Sequence, residues 1–295
     1  MTVSDITCLN TQYSSDGSIK FLWQLADQKL VESIYFTFPD AGEERPFLCI
    51  SSQDGCNVGC AFCATGQQRM RRNLTASEIV AQVERSLDVV QAAGGPATVF
   101  HVAFAGMGEP LLNYEQVIAA AARLRAEGLT EIVSVSTSGI VPRIQELANV
   151  AQTSVNRLYI SLHATTDELR NQLVPTNKKY PLAQIIAAAR EYAHHTGTKV
   201  TATYLLFADV NDTDEDVRRL LALLDPAWCI VQLSVWNPVS GMHFVPSPRI
   251  DTFYERLIQH GYEAFIQRSK GSDIDGGCGQ LRARPLPVLQ PTAKR

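Results

Sequence analysis

From residue 46 onward the chain alternates short apolar runs with longer stretches whose apolar positions recur every three to four residues. The runs are FLCISS (47–52), ATVFHVAFAG (97–106), EIVSVSTSG (131–139), VNRLYISLHA (155–164), KVTATYLLFA (199–208) and CIVQLSVWNP (229–238). Each is rich in β-branched or aromatic residues and short enough for a strand buried on both faces. The stretches between them read as helices. TASEIVAQVERSLDVVQAAG opens on Thr75 with Glu78 three residues later, the pattern of a capping box, and stops at Gly94. YEQVIAAAARLRAEG, PRIQELANVA, TDELRNQL, PLAQIIAAAREYAHHTG and DTDEDVRRLLALL follow in turn. Strand and helix repeated six times predict a parallel sheet with right-handed crossovers. Six repeats fall short of the eight in a closed barrel, so an α/β fold with a partial (βα)6 TIM-like barrel is expected. A doubly wound open sheet is the structural alternative.

The residues before this rhythm behave differently. Ser14-Ser-Asp-Gly17 is a turn signal, and SIKFLWQL and VESIYFTF show mixed apolar alternation, so short strands are expected there. The predicted division is an N-terminal β extension over 1–45, a catalytic barrel over 46–285 and a C-terminal tail over 286–295. No low-complexity segment or interdomain linker interrupts it.

Composition narrows the class. Of 295 residues, 45% are hydrophobic and 19% charged, which places the chain among soluble globular proteins and excludes disorder. The net charge of −4, from 26 Lys+Arg against 30 Asp+Glu, argues against a surface that is cationic throughout but leaves room for a local basic rim. No apolar run reaches the roughly 18 residues of a membrane helix. The N-terminus lacks the cationic start and apolar core of a signal peptide, so a cytoplasmic protein without membrane attachment is expected. In that compartment the seven cysteines are thiols available for metal or catalytic work, and their odd number and uneven spread do not suit a disulfide framework.

Three of those cysteines form one unit, Cys56-Asn-Val-Gly-Cys60-Ala-Phe-Cys63, directly after the first barrel strand. Seven cysteines placed at random would give this triple spacing on the order of 0.004 times per chain, so coincidence is a poor explanation. Three thiolates on a short loop can wrap one face of an iron–sulfur cube, with Gly59 freeing the backbone to fold around it. Such a [4Fe–4S] cluster keeps one iron without a protein ligand. The alternative is a structural zinc completed by a distant residue such as His101 or His163.

A CxxxCxxC loop with an aromatic residue before its last cysteine resembles the radical S-adenosylmethionine superfamily, whose usual core is the partial barrel. The resemblance implies that the methionyl amine and carboxylate of S-adenosylmethionine chelate the open iron, and that one electron cleaves the sulfonium to a 5′-deoxyadenosyl radical. Ala105-Gly106-Met107-Gly108-Glu109-Pro110 at the end of the second run is similar to the segment that holds the methionyl amine in that superfamily. Read without that context it is a glycine-rich loop with a solvated glutamate.

Further motifs make the resemblance narrower. Ser136-Thr-Ser-Gly139, Ser161-Leu-His-Ala164, VPTNKKY (174–180), Trp236-Asn-Pro238 and Asp273-Ile-Asp-Gly-Gly-Cys278-Gly-Gln-Leu281 occur in the order found in the RlmN/Cfr RNA methyltransferases. The similarity runs from about Val31 to Leu281. It implies methylation of an adenine carbon, C2 rather than C8, in ribosomal or transfer RNA. It further implies that Gly108, Glu109, Ser136, Ser161, Leu162, His163 and Asn237 bind S-adenosylmethionine, with Cys56, Cys60 and Cys63 on the cluster. Cys278 corresponds to the methyl carrier, methylated by a first cofactor molecule and activated by the radical from a second. Cys49 corresponds to the cysteine that releases the product through a transient disulfide, and Glu32 to the base that takes the substrate proton. An electron donor such as flavodoxin or ferredoxin, and a monomeric enzyme, complete what the family implies. Taken singly, His163 also reads as a core histidine bonded to backbone, Ser136 and Asn237 as loop polars, and Cys49 as a small buried apolar residue. Cys8 and Cys229 match no motif and read as structural.

Several features depart from the family. Little precedes Glu32 except short strands, so the helical N-terminal region that helps engage folded RNA is expected to be missing. PDAGEERPF between Glu32 and Cys49 reads as an insertion. Arg69 stands where the family commonly has glycine, and DGGCGQL replaces DAACGQL. Local basicity remains at Arg69, Arg71 and Arg72, at Lys178 and Lys179, at Arg268 and Lys270, and at Arg282 and Arg284, which would grip phosphates or simply be solvated. Two rival functions follow: the same methylation on a nucleotide, small molecule or peptide, and a non-catalytic iron–sulfur protein. The second leaves Cys278 and Cys49 without a role.

Overall fold

The structure is a computed structural model that describes residues 6–40, 42–151 and 153–281. Ten strands form one open sheet in chain order: β1 (Thr7–Tyr13), β2 (Ile19–Gln24), β3 (Leu30–Asp40), β4 (Glu43–Cys49), β5 (Val99–Phe104), β6 (Thr130–Thr137), β7 (Arg157–Ser161), β8 (Val200–Leu206), β9 (Cys229–Val235) and β10 (Ala264–Gln267). β1 to β4 run as an antiparallel meander, and from β4 to β10 every pairing is parallel. The parallel crossovers carry α1 (Ala76–Ala92), α2 (Tyr114–Ala126), α3 (Val141–Ala148), α4 (Asp167–Leu173), α5 (Leu182–Thr196), α6 (Asp214–Leu223) and α7 (Ile250–Gln259).

The six expected strands are β4 to β9 and the six expected helices are α1 to α6, so the partial α/β barrel is the fold. α7 and β10 extend the pattern. β10 contributes only four residues, too few for a two-residue period to register. The N-terminal strands join the same sheet. Because β3 pairs with β4 from Ile34↔Cys49 to Asp40↔Glu43, the extension meets the barrel inside a hairpin rather than at a linker.

Local chemistry explains where the elements start. The Glu78 amide donates to Thr75 Oγ1 at 3.2 Å while the Thr75 amide donates to Glu78 Oε2 at 2.9 Å, the reciprocal bonding the sequence predicts at the start of α1. Thr213 and Asp216 cap α6 in the same way.

The apolar runs resolve into two faces. Leu48, Val102, Val133, Leu158, Ala202 and Val231 join helix residues such as Val83, Val117, Ile185 and Leu220 in the main core. Their neighbours, Cys49, His101, Ala103, Ser134, Ser136, Tyr159, Thr203, Gln232 and Ser234, line a cavity inside the curled sheet. A two-residue period puts each set on its own face. A second apolar group, including Val58, Phe62, Leu173, Val174, Phe207 and Trp236, lies at the C-terminal ends of the strands. None of the described helices is long and apolar enough to cross a membrane.

Candidate active site

Cys56, Cys60 and Cys63 occupy the loop that follows β4, packed against the second apolar group. Gly59 holds φ +72° with open space where a Cβ would go, so backbone freedom rather than room is what the position needs. Gly66 is different: a Cβ there would lie 2.9 Å from the Cys60 carbonyl oxygen, because the loop folds back upon itself. The loop is pinned from three sides. The Ala61 amide donates to Leu173 O at 3.0 Å, Trp236 Nε1 to Phe62 O at 3.0 Å, and the Ala64 amide to Gly279 O at 2.7 Å.

Burial pushes all three thiols up, Cys56 to about 12, and the charges of Cys63 and Cys56 raise Cys60 further. Positive iron reverses that logic by deprotonating a coordinating thiol outright. Among the described residues no three His, Cys, Asp or Glu side chains close around one ion. A [4Fe–4S] cluster gives each thiolate its own iron, which suits three cysteines on one short loop. Each histidine of the zinc alternative has one ring nitrogen engaged with another group. His101 Nε2 lies 2.7 Å from Ser134 Oγ inside the barrel, and His163 Nδ1 accepts from the Leu205 amide at 3.1 Å. The residues therefore fit a [4Fe–4S] cluster.

Gly108 and Glu109 follow β5 at the same end of the sheet. Gly108 has φ +102°, and a Cβ there would lie 2.6 Å from Gln53 Cβ, so both conformation and space exclude a side chain. The Glu109 amide donates to Gln53 Oε1 at 2.8 Å. Its carboxylate accepts from Thr137 Oγ1 at 2.7 Å and from the amides of Ser138 and Leu111 at 2.7 and 3.1 Å. Burial nevertheless raises its pKa, because every one of these donors is neutral. A buried carboxylate that has no cationic side-chain partner among the described residues, within electrostatic reach of Cys56 and Cys60, is suited to an ammonium.

The next rim segment is organised by Arg170 on α4, which the sequence pattern presented only as a helix residue. This side chain is fully buried. Its Nη2 donates to Ser138 O at 2.8 Å and Ser161 O at 2.7 Å, Nε to Leu162 O at 3.0 Å, and Nη1 to Asn177 Oδ1 at 2.9 Å. One guanidinium thereby locks the ends of β6 and β7 together. Ser161 ends β7, Leu162 is wholly buried, and His163 adopts φ +57°. His163 makes the backbone bond expected of a core histidine, and its ring also packs edge-on against Phe62 of the cysteine loop at 4.9 Å. Burial lowers its pKa to about 3, so the ring is neutral. With Nδ1 accepting, the ring proton is assigned to Nε2.

Cys49, Cys63 and Cys278 open into one cavity of about 290 Å³, together with Ser136 and Asn237. Cys49 ends β4; burial raises its pKa strongly, and the charge of Cys278 adds to the effect. Cys278 is exposed to solvent within the cavity, yet enough protein surrounds its sulfur for burial, and secondarily Cys63, to raise its pKa. Asn237 holds this segment: its Nδ2 donates to Cys278 O at 3.2 Å, and a Cβ on Gly277 would lie 2.5 Å from that nitrogen. Its amide is thus committed to the Cys278 loop. Glu32 lies on the same face of β3 as Ile34 and Phe36 but is not part of the cavity lining. It is buried with its Oε1 3.5 Å from Lys20 Nζ, a partner the sequence reading missed because nothing local marks Lys20.

The basic clusters separate on inspection. Arg72 is spent on Asp27 and Glu78, whereas Arg268 and Lys270 line the cavity, with the exposed Asp251 carboxylate 3.9 Å from Arg268 Nη2. Arg282 and Arg284 lie outside the described residues. A larger crevice of about 970 Å³, flanked by Lys29, Arg69 and Arg71, contains none of the cysteines. Cys229 is buried as expected of a structural cysteine, whereas Cys8 is exposed on the edge strand β1, where its thiol donates to Asn10 O at 3.4 Å and lies 3.4 Å from Thr11 Oγ1.

Comparison with known proteins places this geometry. The sequence model of the radical SAM superfamily matches residues 50–223. The chain is 42% identical over 288 residues to a protein of Syntrophotalea carbinolica named dual-specificity RNA methyltransferase RlmN, covering 96% of this chain and 74% of that protein. A protein of the same name from an Anaeromyxobacter species is 41% identical, with 97% and 76% covered. The crystal structure of a radical SAM methyltransferase from Sphaerobacter thermophilus superposes with a TM-score of 0.89 at 40% identity, over 95% of this chain and 82% of that one. With the cysteine loop, the rim segments and Cys278 all in place, the chain belongs to the radical SAM superfamily and, within it, to the RlmN type of C-methyltransferase.

Proposed function

We propose that this enzyme methylates a carbon of adenine in ribosomal or transfer RNA, C2 in preference to C8, through an S-methyl group carried on Cys278. The observation that carries the reading is the single cavity shared by a cluster cysteine, Cys63, and by Cys49 and Cys278. When bound, the cluster and two molecules of S-adenosylmethionine per turnover supply a methyl group and a hydrogen-abstracting radical. Cys56, Cys60 and Cys63 hold the cluster, and Glu109 takes the methionyl ammonium. Gly108, whose φ of +102° turns the backbone against Gln53, borders the cofactor along the rim with Ser136, Ser161, Leu162, His163 and Asn237. Flavodoxin or ferredoxin serves as reductant to a monomeric, cytoplasmic enzyme.

The steps assigned to the protein rest on the family resemblance, and the cavity shared by Cys49 and Cys278 supports them. Cys278 Sγ gives up its proton and accepts the methyl group, and the activated carbon on that sulfur is then presented to the base. Glu32 takes the proton displaced from the substrate carbon. Cys49 Sγ, deprotonated, attacks Cys278 Sγ to form a disulfide as the bond from that sulfur to the transferred carbon breaks; the carbon keeps the electron pair and takes a proton to become the product methyl group, and a dithiol reductant reopens the disulfide. A buried, protonated Cys49 is a poor nucleophile until it is called upon, and the part of its raised pKa due to Cys278 disappears once Cys278 carries a neutral thioether.

The cavity suits a heteroaromatic base. Phe36, Phe47 and Tyr159 provide flat apolar surface, Gln232 and Ser234 provide donors and acceptors, and Arg268 and Lys270 bring positive charge for a backbone phosphate. Enzymes acting on a base atom take that base out of its stack, which fits a partly open cavity of about 290 Å³. The test is incubation of cluster-loaded enzyme with total RNA and methyl-labelled cofactor under a strong reductant, followed by nucleoside analysis. Label in 2-methyladenosine is expected. Label confined to free nucleotides, metabolites or peptides would overturn the RNA assignment.

A further inference from the structure

The segment that carries Cys278 is unusually rich in glycine, and the structure shows what restrains it. The turn between β1 and β2 reaches across to it through a carboxylate at each end. Asp273 accepts from Ser14 Oγ at 2.5 Å, from the Ser15 amide at 3.0 Å and from Ser15 Oγ at 3.2 Å. In return the Gly271 amide donates to Asp16 Oδ2 at 2.9 Å. One step further along β2, Lys20 is buried and its Nζ donates to Asp275 O at 3.3 Å while lying 3.5 Å from Glu32 Oε1. A Cβ on Gly271 would lie 3.3 Å from Ser18 Cβ of the turn, and Ile34 of the neighbouring β3 packs against the same segment, its Cδ1 2.4 Å from where a Gly276 Cβ would stand.

We propose that the β1–β2 hairpin is a clamp for the methyl-carrying segment, with Asp273 and Lys20 as positioning residues that hold Cys278 at the cavity. Glycines at 276, 277 and 279 leave that backbone with more freedom to lose than any other residue type would. Cys278 has to meet a methyl donor and then a base in productive geometry, where a misplacement of about 1 Å costs on the order of a hundredfold in rate. Reciprocal carboxylate–backbone bonds at 271 and 273 fix the segment before the cysteine, just as Asn237 fixes the cysteine's own carbonyl. Lys20 ties the same segment to Glu32, so that carrier and base are registered through one ammonium. The inference rests on the reading of Cys278 as carrier.

The test uses cluster-loaded enzyme with Asp273→Ala, Lys20→Met and Lys20→Arg. Amide exchange over residues 271–281 is expected to quicken about tenfold in Asp273→Ala while β4 to β9 keep their protection, as loss of charge-assisted bonds to one segment requires. In single turnover, methyl transfer to Cys278 is expected to slow about tenfold at unchanged KM for S-adenosylmethionine, with the cluster's absorbance unaltered. Lys20→Arg is expected to retain the wild-type rate that Lys20→Met loses. Unchanged exchange in Asp273→Ala would overturn the clamp, and equal rates for the two Lys20 variants would overturn the role of Lys20. Asp273 is exposed, so its replacement keeps the test open if Lys20→Met fails to fold. A wild-type enzyme with no methyl group on Cys278 would instead refute the carrier reading, and the exchange result would still decide the clamp.

Discussion

His101 shows how a single residue can tie the barrel interior to pH. It is buried beside Ser134, and burial lowers its pKa from 6.5 to about 3. The folded protein keeps it neutral while the unfolded chain protonates it below 6.5, so stability is full above that pH and declines as pH falls from 6.5 towards 3. At pH 5 the loss attributable to this ring is about 2 kcal/mol. Denaturation of the His101→Gln enzyme at pH 7.5 and pH 5.0 should therefore show an acid-induced loss smaller than the wild type's by that amount; an identical loss would contradict the assignment. At this scale the sequence was most readable where chemistry is local. Cys56, Cys60 and Cys63 sit within eight residues, so spacing alone exposes them. Arg170 and Lys20 act on carbonyls and carboxylates brought near only by folding. Lys20 and Asp275 are separated by 255 positions, and no pattern along the chain links them.

Among the elements, the cysteine loop separates two uses of glycine. Gly59 supplies a left-handed backbone into open space, so Gly59→Ala should cost about 1 kcal/mol and leave iron content close to normal. Gly66 abuts the Cys60 backbone, so Gly66→Ala should force the loop open and abolish cluster binding. Iron and sulfide analysis of the two reconstituted variants distinguishes these outcomes, and equal loss from both would refute the distinction. Helix α1 was legible to its first residue because a capping box is a local, reciprocal bond. β10 was not, since its identity comes from pairing with β9 rather than from its own four residues.

For the molecule as a whole, the net charge of −4 is compatible with RNA binding only through a local rim. Arg268 and Lys270 at the cavity supply one, whereas Arg72, expected to contribute, is neutralised by Asp27 and Glu78. Replacing Arg268 and Lys270 together by glutamine should lower kcat/KM for RNA and flatten its dependence on log salt concentration by about two units. An unaltered salt slope would remove these residues from the RNA path. The partial barrel was legible from six repeats of one rhythm, but the meeting of Cys49, Cys63 and Cys278 in one cavity depends on how the sheet curls, which no periodicity reports. The central claim is that the methyl group passes through Cys278. The most direct measurement loads the enzyme with labelled methyl, removes free cofactor, and adds RNA with unlabelled S-adenosylmethionine for a single turnover. Mass spectrometry should find the label on Cys278 beforehand and in adenine afterwards. Active enzyme with an unmethylated Cys278, or product carrying only the unlabelled methyl group, would contradict it.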